Sequence, residues 1–550
     1  MKKRFFFFAA LWGMVSHSVL AQSNHQLSLE IIPEPATILI SEEVPFTLSK
    51  KAVLFAHDED SQRSARYFQR YLERYYGIEL PLASCPCELP FETDDETPSV
   101  AFLVEINPLA PIGAYRIQIT PRQIVLEGAN PEGLFYAVQT FIQLLPVQPF
   151  SDGQSYSQLP IPSLEIEDAP RFAYRGLHLD VVRHIFPVEY IKRYIDNMAL
   201  HKLNYFHWHL TDDQGWRMES KRRPILNERA AYRESTIIGI FPGTGVDSTR
   251  YGGYYTIEEM KEVVAYAAER FITVIPEIDI PGHNMAVLAA YPHFSTTPHL
   301  PKAPAITWGI YNRENNVLIP SDEVFAFLKD VFEELMEVFP SHYIHLGGDE
   351  CAKKWWQESP FCQEFIQKHN LVDEEGMQAY MVRFVADIIR GKGRIPIGWN
   401  EIMQGGAPEG AVVMSWRTTR PGVEAAKLGH PVIMTPSRYC YMNISQLREE
   451  TKVLAHAGYL PIDSVYTFDP VPRGTPQEVA ANIIGGQLCM WTEYYPFVEH
   501  IEYALFPRLA AASEVFWSAK ERRNFPVFME KLERQKMRYR LWGVDYCGRE

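Results

Sequence analysis

Two adjacent carboxylates, Asp349 and Glu350, follow the residues His345-Leu346-Gly347-Gly348. Successive side chains of a strand point to opposite faces, so two neighbours reach one pocket only where the strand has ended. The two glycines permit such a bend and a close approach of the backbone. Two carboxylates held together raise one of their two pKa values, which helps a general acid to stay protonated. The pair predicts an acid–base centre, although a solvated acidic turn would have the same sequence.

Other residues that could catalyse a reaction or bind a ligand stand at the ends of apolar runs elsewhere in the chain. They are acids, histidines, one arginine and aromatic residues: Asp180, Arg183, His207, His209, Asp212, Asp213, Glu277, Asp279, His283, Trp399, Trp416, Tyr441 and Trp491. An indole face suits the C–H face of a hexosamine ring, so three tryptophans beside acids favour a sugar pocket. His207 and His209 would share one strand face and could bind a metal ion. The chain has no H-E-x-x-H spacing, however, and we predict neither a metal nor a cofactor.

Eight short apolar runs, with helical patterns between them, would bring these residues to one face. The runs are 176–181, 203–210, 272–280, 343–347, 395–399, 411–416, 431–435 and 487–491. Buried strands that alternate with helices predict an α/β fold, a (β/α)8 TIM barrel over residues 169–550, with its site at the carboxyl ends of the strands. A doubly wound open sheet is the alternative, but no G-x-G-x-x-G turn follows the first strand.

The rest of the chain indicates a smaller domain and a leader. Residues 22–168 read as an α/β companion domain of strands and helices without a catalytic cluster, and 146–162 as the linker. Residues 1–21 begin with Met1-Lys2-Lys3-Arg4, continue apolar to about residue 15 and end in Val19-Leu20-Ala21. This pattern is typical of a secretory signal peptide, so we expect an exported protein, periplasmic or secreted; a membrane anchor is the alternative.

Charge excludes one class of function. The 53 Lys and Arg residues against 68 Asp and Glu residues give a formal net charge of −15. A chain that binds nucleic acid through its phosphates needs the opposite sign, so we expect no nucleic-acid partner.

Taken together, the motifs resemble the family 20 glycoside hydrolases, the exo-β-N-acetylhexosaminidases. The matching segments are Tyr174-Arg175-Gly176, Leu179 to His184, His207 to Arg217, Pro276 to His283, His345 to Glu350, Gly398 to Glu401 and Trp491-Thr492-Glu493. They stand in the family's order over residues 170–520. The resemblance implies removal of terminal β-linked GlcNAc or GalNAc from a glycan or oligosaccharide, with an oxazolinium intermediate formed by the substrate's own acetamido group.

The resemblance also implies roles for individual residues. Glu350 would protonate the leaving oxygen and then activate water, Asp349 would orient the acetamido N–H, and Tyr441 would hydrogen-bond the acetamido oxygen. Trp399, Trp416 and Trp491 would wall the pocket. Arg175 would hold the 3- and 4-hydroxyls and Glu493 the 4- or 6-hydroxyl. Asp212, preferred to Asp213, would form a relay with His283 behind Glu350.

One position departs from the family pattern. Asn443 stands where the family usually has an Asp that contacts the outer hydroxyls, which predicts tolerance of an anionic group such as a sulfate near position 4 or 6. A lacto-N-biosidase of the same family is a second alternative. A catalytically silent glycan-binding protein is a third, but such a protein would be expected to have lost Asp349, Glu350 or Tyr441.

Overall fold

The computed structural model describes residues 29–84, 98–147 and 158–548, which form two units. The predicted leader lies outside these ranges. Within them, the model contains no helix of the length and apolarity needed to span a bilayer.

The first unit is a mixed sheet with two helices. In chain order its elements are β1 (Thr37–Ile40), β2 (Phe46–Ser49), β3 (Val53–Ala56), α1 (Glu59–Tyr76), β4 (Leu82–Ser84), β5 (Ser99–Val104), β6 (Tyr115–Ile119), β7 (Gln123–Gly128), α2 (Pro131–Leu144), β8 (Gln158–Ile161) and β9 (Leu164–Asp168). Seven strands pair in the order β1-β9-β6-β7-β5-β3-β4, and β2 pairs with β8. Both helices begin where a side chain caps the first turn, Asp58 for α1 and Asn130 for α2.

Residues 148–157 of the expected linker lie outside the described ranges, and its carboxyl-terminal end is a strand. Residues 158–161 form β8 and pair antiparallel with β2, so this end of the proline-rich stretch is part of the first unit. Pro160 lies opposite Thr47 in a sheet of only two strands, where a residue without an N–H group is tolerated.

The second unit follows directly and contains eight long strands. In chain order its elements are β10 (Tyr174–Asp180), α3 (Val188–Leu200), β11 (Tyr205–His209), β12 (Thr211–Asp212), β13 (Gly215–Trp216), β14 (Tyr232–Arg233), β15 (Tyr251–Gly252), α4 (Ile257–Ala268), β16 (Thr273–Ile280), α5 (Met285–Ala290), α6 (Asp322–Val338), β17 (Tyr343–Gly347), α7 (Lys354–Gln357), α8 (Pro360–Lys368), α9 (Glu374–Gly391), β18 (Ile395–Trp399), β19 (Val412–Ser415), α10 (Thr419–Lys427), β20 (Val432–Met434), α11 (Ser437–Cys440), α12 (Ile462–Thr467), α13 (Gln477–Ala480), β21 (Ile483–Met490), α14 (Val498–Leu505), α15 (Arg508–Trp517) and α16 (Phe525–Trp542).

The eight long strands close into a parallel barrel in the order β10-β11-β16-β17-β18-β19-β20-β21. Each of the eight apolar runs of the sequence supplies one of them, so the prediction of a TIM barrel with a smaller companion is confirmed. Barrel strands are covered on both faces, which explains why these runs are nearly continuous in apolar residues rather than alternating. The parallel register brings the last residues of all eight strands to one end of the barrel.

The opposite end of the barrel rests on the first unit through buried polar contacts. Arg175, at the amino end of β10, donates hydrogen bonds to Phe172 O (2.7 Å), Lys202 O (2.8 Å) and the hydroxyl of Tyr136 on α2 (2.8 Å). Its guanidinium lies 5.0 Å from the ring of Trp517. The bond to Tyr136 joins the two units, and the bonds to Phe172 and Lys202 fix the guanidinium at the amino end of the barrel.

Replacing Arg175 tests this interface. In Arg175→Met three acceptors lose a charged donor while they remain buried, so we expect the free energy of unfolding to fall by about 3–5 kcal/mol. Arg250→Met is the matched control, because Arg250 is exposed and makes a single ion pair of 3.6 Å with Glu234. Equal denaturant midpoints for the two variants would contradict the role given to Arg175.

Candidate active site

A cavity of about 530 Å³ opens at the carboxyl end of the barrel. Its walls carry both acidic and aromatic side chains from the segments that follow seven of the eight barrel strands. The lining residues include Arg183, Asp212, Asp213, Asp279, His283, Asp349, Glu350, Trp416, Tyr441, Asn443, His456, Trp491 and Glu493. Most of the predicted site residues therefore meet in one place.

The turn after β17 brings the paired carboxylates to the cavity. Gly347 and Gly348 have φ values of 72° and 101°, which side chains rarely adopt. A Cβ atom on Gly347 would lie 1.7 Å from Oδ1 of Asp279, and that oxygen accepts a hydrogen bond from the N–H of Gly348 at 3.0 Å. The two glycines thus allow the backbone to approach Asp279, at the end of β16, as closely as the sequence predicts for such a turn.

His283 contacts both carboxylates. Its Nε2 lies 3.7 Å from Oδ2 of Asp349 and 3.6 Å from Oε2 of Glu350. On its other side Nδ1 lies 3.0 Å from a carboxylate oxygen of both Asp212 and Asp213. Burial disfavours the imidazolium, but these two acids raise the pKa of His283 well above its ordinary value. A positive charge therefore sits directly behind the carboxylate pair.

The pKa values of the two carboxylates are separated, as the sequence suggests. The raised pKa, however, belongs to Asp349 and not to Glu350, the acid that the resemblance implies. Burial raises the pKa of Asp349 to about 7, helped by the charges of Glu401, Glu350 and Glu277 and opposed by His283. Burial also raises the pKa of Glu350, but the nearby positive charge of His283 holds it below the ordinary value. Glu350 is the more accessible of the two, with 32% of its side chain exposed. Of the two carboxylates, Asp349 therefore holds a proton more readily than Glu350.

Beneath the cavity a single buried carboxylate organises the barrel interior. Glu277 is hydrogen-bonded to Nδ1 of His209 (2.5 Å) and accepts from the indole N–H of Trp399 (2.8 Å), and ring nitrogens of His207 and His345 each lie 3.0 Å from its carboxylate. Burial opposes its ionisation, but the surrounding histidines hold the pKa of Glu277 well below the ordinary value.

Histidine and carboxylate atoms of this interior cluster, and of the groups around His283, lie close enough to share a cation. The carboxylates of Asp212 and Asp213 already have nitrogen donors as hydrogen-bond partners. The prediction that no metal is needed stays a prediction.

Aromatic side chains form one wall and the floor. Trp416 and Tyr441 stack with ring centroids 6.1 Å apart, and Trp491 lies 6.2 Å from Tyr441. The Trp416 indole donates to Glu401, which also pairs with Arg417 at 3.0 Å. Trp399 lies deeper, only 1% exposed, with its ring 6.0 Å from that of Trp491. Trp416 and Trp491 thus line the cavity, whereas Trp399 supports it from below.

The arginine of the cavity is Arg183 and not Arg175. Arg175 lies at the amino end of β10, in the contact with the first unit, so its predicted role in holding sugar hydroxyls is wrong. Arg183 lines the cavity and pairs with Asp180 (3.1 Å) and Asp212 (2.7 Å). The signal was present in the sequence, because Arg183 follows the carboxyl end of the strand and Arg175 stands at its start.

The outer wall holds Glu493, Asn443 and one residue that the sequence did not single out, His456. All three line the cavity, and Nε2 of His456 lies 3.2 Å from Oε1 of Glu493. A lone histidine in a long irregular stretch gives no sequence signal of its own.

Paired carboxylates in an aromatic-walled cavity at the carboxyl end of a TIM barrel define a glycoside hydrolase. Comparison with known families agrees: the glycosyl hydrolase family 20 catalytic domain matches residues 172–520, and domain 2 of the same family matches residues 28–169. The chain therefore belongs to glycosyl hydrolase family 20, and the expectation of an exo-β-N-acetylhexosaminidase is confirmed.

Individual relatives of the chain are hexosaminidases as well. A beta-hexosaminidase of Porphyromonas gingivalis is 35% identical over 99% of this chain and 68% of that protein. A beta-N-acetylhexosaminidase of Cellulomonas fimi is 31% identical over 90% of this chain and 92% of its own length. The exo β-N-acetylglucosaminidase of Vibrio harveyi, solved with N-acetylglucosamine, superposes with a TM-score of 0.81 at 29% identity, covering 96% of this chain and 80% of that one.

Proposed function

We propose that this β-N-acetylhexosaminidase releases terminal β-linked GlcNAc or GalNAc by substrate-assisted retaining catalysis, with Glu350 as general acid and base. The observation that carries the proposal is the pair Asp349-Glu350, which turns into the cavity against His283. In this class the acetamido oxygen of the substrate replaces the second carboxylate as nucleophile. One protein acid and one carboxylate beside the acetamido group are then sufficient.

Asp349 suits the task of orienting the acetamido group. It is 9% exposed and its Oδ1 has no hydrogen-bond partner within the described part of the chain. An acetamido N–H would supply that partner, and the ionised carboxylate would stabilise the positive charge of the oxazolinium ion. Burial keeps the pKa of Tyr441 well above its ordinary value, so its hydroxyl stays a proton donor for the acetamido oxygen.

Substrate binding would reverse the order of the two pKa values. An N–H donor beside Asp349 favours its ionised form and lowers its pKa. A sugar over Glu350 excludes water from a side chain that is 32% exposed, which raises its pKa. The shared proton then moves to Glu350, where it is close to the leaving oxygen. Binding of the sugar therefore produces the protonated Glu350 that general acid catalysis requires.

The alternatives drawn from the sequence are less favoured. A sulfate beside Asn443 would also face Glu493, a carboxylate of the same wall. Burial raises the pKa of Glu493, but His456 lowers it to about 2, so this carboxylate is negatively charged and would repel a sulfate. A catalytically silent glycan-binding protein does not require two adjacent carboxylates with separated pKa values in its cavity. The family's beta-hexosaminidase relatives likewise give no support to a disaccharide-releasing enzyme.

We also infer that the enzyme is exported, either to the periplasm or out of the cell. The support is the basic start and apolar run of residues 1–21. The mass of the mature protein would show cleavage before Gln22; a retained leader would refute the inference.

Substrate choice and one substitution test the mechanism. Nitrophenyl β-glucose lacks the acetamido nucleophile, so we expect turnover on the order of 10³-fold or more below that of nitrophenyl β-GlcNAc. Glu350→Gln should lower kcat by about 10²–10⁴-fold on substrates with poor leaving groups, and by less on nitrophenyl β-GlcNAc. Glu364→Gln, on the exposed face of α8, is the matched control. Equal rates on the two glycosides would refute substrate assistance.

The charge of His283 should appear in the pH profile. The active form of the pair carries one proton, on Glu350, with Asp349 ionised, so kcat/KM falls below the lower and above the higher of the pair's two pKa values. His283 lowers both pKa values. His283→Gln removes this charge, both pKa values rise, and both limbs of the kcat/KM profile should move to higher pH. A profile that stays in place or moves to lower pH would show that His283 does not act through its charge.

A further inference from the structure

The outer wall of the cavity contains an ion pair that the mechanism above does not use. Nε2 of His456 lies 3.2 Å from Oε1 of Glu493, with side-chain exposures of 40% and 11%. The ring of His456 packs edge-on against Tyr494, with centroids 5.1 Å apart. The imidazole thus stands at the cavity mouth and reaches inward to a carboxylate that is almost buried.

Asn443 belongs to the same arrangement. The backbone N–H of His456 donates to the carbonyl of Asn443 at 3.0 Å, and Ile444 and His456 form a parallel bridge. The side chain of Asn443 is 3% exposed. The two backbone contacts therefore hold the amide and the ion pair in one rigid unit.

Two acceptor atoms of this unit have no partner of their own. Oδ1 of Asn443 and Oε2 of Glu493 are buried and lack a hydrogen bond to any described residue. Buried acceptors of this kind cost free energy unless a ligand supplies hydrogen atoms. Both residues line the cavity, so the hydroxyls at the outer end of a bound sugar are the donors that fit.

We propose that His456 is a positioning residue for the terminal sugar, which as an imidazolium holds Glu493 so that Glu493 and Asn443 accept hydrogen bonds from the outer hydroxyls at positions 4 and 6. The inference rests on the proposed function, since it needs a terminal sugar in this cavity. Asn443 carries no charge, so the orientation of the one carboxylate in this unit depends on His456.

The charges that face His456 favour this state near neutral pH. Burial disfavours the imidazolium and Arg183 opposes it, but the charge and hydrogen bond of Glu493 raise the pKa of His456 above its ordinary value. His456 and Arg183 in turn help to keep Glu493 ionised. The third neighbour, Tyr494, presents its ring. Affinity for the sugar should therefore fall as pH rises through the pKa of His456.

The test compares His456→Gln with the wild type by the competitive inhibition constant, Ki, of GlcNAc between pH 5 and 9. Gln is polar but cannot carry a charge, so below the pKa of His456 we expect Ki to rise about tenfold, from the loss of the ion pair with Glu493. Above that pKa the ratio of the two Ki values should approach one. The ratio cancels the titration of Asp349, Glu350 and His283, which both proteins share.

Deoxy sugars identify the hydroxyls. With 4-deoxy-GlcNAc or 6-deoxy-GlcNAc as inhibitor, at least one should show no penalty from His456→Gln, because the hydroxyl that Glu493 accepts is gone. His456→Phe, which keeps a ring beside Tyr494, should behave like His456→Gln if the protein folds normally.

The control is His293→Gln, since His293 makes a similar ion pair of 3.1 Å with Glu323 on an exposed surface. A pH-independent Ki ratio, or the same penalty for all three sugars, would overturn the assignment. Failure of the wild type to hydrolyse nitrophenyl β-GlcNAc would instead refute the proposed function.

Discussion

The arrangement of the whole site depends on one buried carboxylate, Glu277, in the middle of the barrel. Nitrogen atoms of four side chains from three other strands converge on it: His207 and His209 from β11, His345 from β17 and Trp399 from β18. A charge so deep is stable only when its partners satisfy it fully. Glu277 thereby links strand alignment to chemistry, because its partners also contact the residues of the cavity.

Two chains of contacts lead upward from this carboxylate. One runs through His209, whose other nitrogen lies 3.0 Å from Asp212, and Asp212 holds His283 behind the reacting carboxylates. The other runs through Trp399 to the indole of Trp491 in the cavity wall. Positive and negative groups alternate along the first chain, since Glu277 and Asp212 raise the pKa of His209 to about 10 against the effect of burial. A disturbance at the barrel centre would therefore reach the acid and the aromatic wall together.

The sequence was sufficient for the fold because a TIM barrel needs eight buried strands, and each left an apolar run of the right length. It was sufficient for the acids and aromatic residues because they follow strand ends, where a barrel collects them. It failed where position along a strand mattered: Arg175 and Arg183 flank the same strand, and only the one at the carboxyl end reaches the cavity. It also failed for His456, since nothing local marks a loop residue that becomes important only by lying beside Glu493. Nor could spacing alone show which carboxylate of the pair holds the proton, because that depends on burial and on His283.

The backbone at the reacting centre has a further consequence. Glu350 and His283 face each other, and both have left-handed conformations, with φ values of 43° and 54°. Such a conformation costs a residue with a side chain about 1–2 kcal/mol relative to glycine. The fold is thus under local strain at the two positions where the chemistry demands specific side chains. A search for more stable variants that ignored activity would favour glycine at position 350, which would abolish the acid, whereas at position 283 the lost contacts with Asp212 and Asp213 would outweigh the relief of strain.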